Sequence, residues 1–214
     1  MIKTIVFDIG NVVWNYEPPC LPFHNNLAKL LDISPETYKQ EYFKVYQAFE
    51  TDNLRLLSWC QRFNPKINQD QINALLHQFL SPATHKKYLN QDVVNLIKNL
   101  KCNYTIGYLS NGENYFIPFV YHPLDYLFHF QLISSQIGFR KPGPLAYREI
   151  FKHVNCQPQE VVYIDDKQEN IIGAKNIGLN AILFTGYQPL LADLSLYLPK
   201  KDIFISPTPT VHTK

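Results

Sequence analysis

Three stretches of the chain share one design, and they constrain the fold more than any other feature. TIVFD (4–8), YTIGYLS (104–110) and VVYIDD (161–166) are apolar through the body and end on Asp8, on Ser110, and on the pair Asp165 and Asp166. Short, continuous apolar runs of this kind are strands buried on both faces. Stretches of helical period lie between them. QDVVNLIKNL (91–100) sets Val94, Ile97 and Leu100 on one face, with Asp92 in its first turn. PLAYREIFKHV (144–154) and QENIIGAKNIG (168–178) are two more helices, the second stopping at Gly178. NAILFT (180–185) reads as a fourth strand and FQLISS (130–135) as another. Such alternation predicts an α/β, Rossmann-like parallel sheet, in which ligands gather at the carboxyl ends of the strands. All three runs carry their polar residues at that end.

About a hundred residues separate the first strand from the one ending at Ser110, far more than one crossover helix needs. The interval 17–85 reads as helical. PETYKQEYFKVYQAFE (35–50) carries Tyr38, Tyr42, Val45, Tyr46 and Phe49 at helical spacing. NQDQINALLHQFL (68–80) opens on a capping Asn68 and carries Ile72, Leu75, Leu76 and Phe79. These features predict a core formed by 1–16 and 86–214 and a small helical cap, 17–85, inserted over the strand ends. The aromatic stripe of 38–49 is expected to be core of the cap, with Tyr42, Tyr46 and Glu50 as the residues to watch for substrate contact. YQPLLADLSLYLP (187–199) is expected to add one more helix against the core, and the Pro/Thr-rich end of the chain to fray.

Composition narrows the function classes. The 214 residues are 46% apolar with a net charge of +2 and no Lys/Arg block, so neither nucleic acid nor an anionic membrane is indicated as partner. No apolar run approaches the length of a membrane span, and MIKTIVFD reads as a first strand instead of a signal peptide. Cys20, Cys60, Cys102 and Cys156 are scattered without a C-x-x-C pair, which argues against zinc and for reduced thiols in a cytoplasmic protein.

Asp8, Asp165 and Asp166 would meet at one sheet edge, where like charges need compensation. A hard divalent cation with oxygen ligands supplies it, and magnesium is the natural choice. The alternative is that Asp165 and Asp166 merely cap the helix that follows. In FRKPGP (139–144), Arg140 and Lys141 precede prolines that open a helix. That arrangement points either to an anion held between lysine and helix end or to a solvated basic loop. Ser110 and Asn111, followed by Gly112, offer a hydroxyl, an amide and backbone N–H groups to phosphate oxygens, although SNG alone is only a turn.

The ordered set D-x-G-N-V (8–12), Ser110-Asn111, Lys141-Pro142, and Asp165-Asp166 with Asn170 downstream resembles the haloacid dehalogenase-like hydrolase superfamily, in its phosphatase branch. The resemblance spans about residues 1–185. It implies that Asp8 attacks phosphorus to form an aspartyl-phosphate that water hydrolyses. It implies magnesium held by Asp8, the Gly10 carbonyl and Asp166, with Asp165 nearby. Ser110, Asn111 and Lys141 would bind the phosphoryl group of a small phosphorylated metabolite. The departure is Gly10. Most phosphatases of the superfamily carry there a second Asp that protonates the leaving oxygen, a contribution of about 10²–10⁴-fold. The D-x-G-N-V variant resembles bacterial glucose-1-phosphate phosphatases, where water or substrate hydroxyls would move the proton. Two other readings stand beside this one: a phosphate- and magnesium-binding protein that has lost turnover, and a metal-free haloacid dehalogenase, against which the two consecutive acids speak.

Overall fold

The computed structural model describes residues 1–15 and 17–203; the Pro/Thr-rich end of the chain beyond 203, expected to fray, lies outside them. Strand β1 (Thr4–Phe7) is followed by α1 (Glu17–Leu30), α2 (Pro35–Phe49), α3 (Leu56–Cys60), α4 (Gln69–Phe79) and α5 (Pro82–Lys87). Then come α6 (Gln91–Leu100) and β2 (Thr105–Ser110), a run of 3₁₀ and π turns over 114–127, β3 (Phe130–Ile133) and α7 (Ser134–Ile137). The chain continues through α8 (Pro144–Arg148), β4 (Val161–Asp165), α9 (Gln168–Asn176), β5 (Asn180–Leu183), α10 (Tyr187–Leu194) and α11 (Lys200–Ile203). The strands form one sheet in the order β3-β2-β1-β4-β5, with every neighbouring pair parallel. This is the α/β, Rossmann-like architecture that the alternation predicts.

The apolar runs are continuous because both faces of the sheet are covered. Ile5, Phe7, Ile106, Tyr108, Val162 and Ile164 join one hydrophobic cluster; Val6, Leu109, Val161 and Tyr163, the alternate positions, join the other. The second cluster is closed by Ala146, Tyr147 and Ile150 after β3 and by Ile171 and Ala174 of α9. The first contains Val93, Val94, Leu96 and Ile97 of α6 and extends without a break into Phe23, Tyr38, Phe49, Trp59 and Ile72 of the helical insertion. Insertion and sheet therefore share packed surface.

Local signals explain the helices. Ser34 caps α2 by accepting from the Thr37 N–H, and Pro35 occupies the first turn, where its missing N–H is harmless. Asn68 and Gln71 form a reciprocal capping box at the start of α4. The expected helix over 144–154 is α8 continued as a 3₁₀ turn (Glu149–Lys152). Gly178 ends α9 with φ of 90°, a conformation open to glycine. The aromatic stripe of α2 behaves mainly as core: Tyr38 and Phe49 are buried, and Tyr42 and Val45 pack on the same cluster.

Candidate active site

The strand order decides which polar ends meet. β1 lies between β2 and β4, so Asp8, one residue past β1, stands between Ser110 at the end of β2 and Asp165 at the end of β4. The Asp8 N–H extends the ladder by donating to the Ile164 carbonyl at 2.7 Å. Lys141 reaches in from the loop before α8. Its ammonium lies 2.9 Å from Asp8 Oδ1 and 2.7 Å from Asp165 Oδ2, and the residue is only 1% exposed. The solvated-loop alternative for Lys141 therefore fails: its side chain is buried between two carboxylates.

Asp8 is anchored through one oxygen. Oδ1 receives both the Ile9 N–H, at 2.7 Å, and Lys141, whereas Oδ2 has no hydrogen bond among the described residues. Burial pushes the Asp8 carboxyl up to about 6, against the pull of Lys141 and with a further push from Asp165 and Asp166. Asp165 is handled in the opposite way. Burial would raise it too, but Lys141, Tyr163 and Asn170 outweigh burial and hold it below the usual carboxylate range. The Asn170 amide donates to both of its oxygens, at 2.9 and 3.0 Å; Tyr163 donates to Oδ2, and the Lys167 N–H donates to Oδ1 at 2.9 Å. Lys141 stays charged, because its two carboxylates outweigh the burial that disfavours it.

Asp8, Asp165 and Asp166 each present an oxygen within 4.8 Å of the others, a cluster suited to a divalent cation. The three are not equivalent. Both oxygens of Asp165 are already engaged. Asp166 accepts from the Asn11 amide on Oδ2 at 3.2 Å and keeps Oδ1 buried with no partner. The Gly10 carbonyl accepts no backbone hydrogen bond among the described residues. An orphaned carboxylate oxygen on Asp166 and the free Oδ2 of Asp8 belong to an all-oxygen cluster whose chemistry fits a hard divalent cation. Neither Asp165 nor Asp166 caps α9: its N-cap is Lys167, which makes no side-chain capping bond, so the helix-capping alternative also fails.

The loop after β2 is tied to the lysine loop. Asn111 donates to the Lys141 carbonyl at 2.9 Å and accepts the Lys141 N–H at 2.8 Å, so its amide fixes the lysine backbone. Ser110 Oγ lies 3.3 Å from the Tyr121 hydroxyl, and the Gly112 N–H donates to Ser134 at 3.0 Å. Gly112 is needed here: a β-carbon would sit 2.1 Å from that tyrosine oxygen. Gly10 is not. A β-carbon there would meet nothing within 4 Å, and the left-handed conformation of this loop falls on Asn11 (φ 58°).

The insertion meets these loops through polar contacts. Glu50, just past α2, accepts from Arg140 Nε and lies 2.8 Å from its terminal nitrogen, and Tyr46 lies under the same guanidinium. Tyr42 donates to Glu113 Oε1 at 2.5 Å, and Asn114 donates to Asp52 at 2.8 Å. Of the residues singled out on α2, all three touch the loops that carry Ser110 and Lys141. Glu113, Tyr121 and Tyr163 escape sequence reasoning. Glu113 follows the SNG turn with no pattern of its own to single it out, and a tyrosine inside an apolar run gives no sign that its hydroxyl serves a carboxylate.

The haloacid dehalogenase-like hydrolase family profile matches residues 2–178. The chain belongs to that family. Among curated relatives of this haloacid dehalogenase-like hydrolase, the phosphoglycolate phosphatase of Vibrio vulnificus is 24% identical over 184 residues, 83% of this chain and 81% of that protein. The glyceraldehyde 3-phosphate phosphatase of Methanothermobacter thermautotrophicus is 31% identical over 87 residues, 37% of each chain. Among solved structures, a family enzyme from Bacteroides thetaiotaomicron in complex with magnesium and inorganic phosphate has a TM-score of 0.67 at 18% identity, covering 86% of this chain and 94% of that one. The 2-haloacid dehalogenase of Pseudomonas syringae has a TM-score of 0.64 at 20% identity and covers 86% of both chains. At these identities the structural likeness establishes the fold. No helix among the described residues is long and apolar enough to cross a membrane.

Proposed function

We propose that this hydrolase is a magnesium-dependent phosphatase of small phosphorylated metabolites that works through an aspartyl-phosphate on Asp8. The observation that carries the reading is the asymmetry of Asp8: Oδ1 is pinned by Lys141 and the Ile9 N–H, and Oδ2 is left free, while Asp166 of the same carboxylate cluster keeps one oxygen unpartnered. A nucleophile needs one lone pair unengaged and its geometry held by the other atoms. Lys141 neutralises Asp8 enough for an anionic phosphoryl group to approach, then takes the charge that develops on the phosphoryl oxygens. Ser110 contributes a hydroxyl to the same oxygens, and Asn111 keeps the lysine in place. Magnesium, held by Asp8, the Gly10 carbonyl and Asp166, would neutralise phosphoryl charge. Asp165 acts through Lys141, which it orients and keeps protonated.

The helices of 17–85 serve as a cap on a core of 1–16 and 86–214. Asp8, Lys141 and Asp165 are 6%, 1% and 0% exposed, so substrate entry requires the cap to lift from the strand ends. The D-x-G-N-V signature and the tyrosine and carboxyl groups of the cap seam support sugar phosphates among the substrates. Free thiols at all four cysteines fit a cytoplasmic setting.

Gly10 favours a second reading, in which the protein binds phosphate and magnesium without turnover. The dehalogenase reading is weaker, because it leaves the unpaired oxygen of Asp166 without a use. A screen of phosphorylated metabolites with and without magnesium tests the proposal. Magnesium-dependent phosphate release supports it. Magnesium-stabilised phosphate binding without release would favour the second reading, and halide release in excess chelator the third.

A further inference from the structure

The phosphatase reading leaves one chemical need unmet and one group unused. The need is a proton for the leaving oxygen, since Gly10 has none to give. The unused group is Glu113, a carboxyl only 6% exposed in the seam between cap and core.

Glu113 follows Ser110 by three residues, on the loop whose Asn111 holds Lys141. Its Oε1 accepts from Tyr42 of the cap at 2.5 Å, and no other side chain among the described residues bonds to the carboxyl. Tyr42 in turn lies 3.2 Å from the Tyr115 hydroxyl. No lysine or arginine among the described residues forms an ion pair with Glu113; the cation whose charge reaches it is Lys167, and its pull is weaker than that of Tyr42. The groups that face it are Tyr38, Tyr42 and Glu50 from the cap, Tyr115 and Tyr121 from the turns after β2, and Lys167 from the loop after β4. Tyr121 bonds to Ser110 and is close enough to both Asp8 and Glu113 to feel both charges. Both carboxyls stand just beyond the carboxyl ends of neighbouring strands, Asp8 one residue past β1 and Glu113 three residues past β2. Burial pushes Glu113 up to about 7, with Tyr42 pulling down and Glu50 pushing further up. A buried carboxyl without an ion pair is costly to ionise, and one poised near neutrality is matched to proton transfer.

In an in-line displacement the leaving oxygen lies across phosphorus from the nucleophile. Asp8 sits at the carboxyl end of the sheet, so a leaving oxygen directed away from the sheet lies on the side where the loop after β2 carries Glu113 against Tyr42 of the cap. We propose that Glu113 is the proton donor that replaces the missing acid at position 10. As Asp8 Oδ2 bonds to phosphorus and the ester P–O bond breaks, the electron pair stays on the leaving oxygen, which takes the proton of Glu113. The resulting carboxylate keeps the Tyr42 hydrogen bond. It then accepts a proton from the water that attacks phosphorus, as the bond from phosphorus to Asp8 breaks and Asp8 regains its carboxylate.

The test rests on the phosphatase reading and separates the two claims. Wild type and Glu113→Gln are assayed with magnesium on an aryl phosphate, which leaves unaided, and on an alkyl phosphate, which needs the proton. Glu113→Gln should slow the alkyl ester about 100-fold or more and the aryl ester less than about threefold. It should also remove the fall in alkyl-ester rate above about pH 7. Tyr42→Phe removes the bond that favours the ionised form, so that fall should move to higher pH while the preference between esters is kept. Equal slowing of both esters, with the pH profile unchanged, would mean that Glu113 only tethers the cap and would overturn the proposal. So would no effect on either ester. Failure of the wild type to turn over even the aryl ester would overturn the phosphatase reading itself, and Glu113's role with it.

Discussion

Replacing Asp8 by Asn should make the metal-free protein more stable near neutral pH, although it removes an ion pair. Asp8 and Asp165 share one ammonium, so the buried trio carries a net negative charge when all three groups are ionised. For Asp8 the desolvation outweighs Lys141, and its carboxyl rises from 3.8 to about 6. A carboxyl raised on folding contributes stability that is fully present below its unfolded value and lost as pH climbs through its folded one. At about 1.36 kcal/mol per pKa unit, the loss between about pH 4 and neutrality is about 3 kcal/mol. An uncharged amide escapes that loss. Its carbonyl can take the place of Oδ1 and keep both the Ile9 and Lys141 contacts, because both go to that one atom. Lys141 retains Asp165. Urea unfolding in excess chelator should therefore find Asp8→Asn more stable than wild type by about 3 kcal/mol near pH 7 and almost equal near pH 4. Glu50 and Glu113 are also raised by burial and give the protein a similar fall in overlapping pH ranges, so the difference between the two proteins isolates Asp8. Added magnesium should restore wild type and do little for the variant. Equal or lower stability of Asp8→Asn near neutrality in chelator would mean that the lysine contact outweighs burial and that Asp8 does not destabilise the metal-free fold.

Lys141→Met should destabilise by about 3–5 kcal/mol near neutral pH, since two buried carboxylates lose their only shared cation, and the loss should shrink as Asp8 protonates below about pH 6; unfolding curves at both pH values check it. Gly112→Ala should push Tyr121 off Ser110, costing about 1–3 kcal/mol and raising KM, because the new β-carbon falls 2.1 Å from the tyrosine oxygen. Gly10→Asp should fold normally, its β-carbon meeting nothing within 4 Å, and in the Glu113→Gln background should restore turnover of alkyl phosphates more than of aryl ones; steady-state kinetics on matched esters decide it.

The elements that depend on continuous burial or on a named cap were legible in the amino-acid order. β1, β2 and β4 announce themselves because both faces of the sheet are covered, and α4 because Asn68 and Gln71 satisfy each other's backbone groups. The meeting of Asp8, Asp165 and Asp166 was legible for the same reason, since parallel strands bring their ends to one edge, whereas Lys141 comes from a loop and was placed there by the family resemblance alone. What stayed hidden depends on side-chain direction. Asp165 and Asp166 are chain neighbours, yet one is saturated by Lys141, Tyr163, Asn170 and the Lys167 N–H while the other keeps a bare oxygen. Adjacent residues at a strand end point to opposite sides, and only the packed structure shows which side holds the partners. Glu113 was hidden more deeply. Its environment is made by Tyr42, 71 residues earlier in the chain, and by burial against the Glu50 charge, which no local pattern shows.

The site at which the phosphoryl group is attached during turnover decides whether Asp8 is the nucleophile. Wild-type protein mixed with an aryl phosphate and magnesium, then quenched in acid and digested, is predicted to carry one phosphoryl group on the peptide containing Asp8. The same treatment of Asp8→Asn, or of wild type in excess chelator, should leave that peptide unmodified. Phosphate release that proceeds with no modification of Asp8, or that continues undiminished in the Asn variant, would contradict the account.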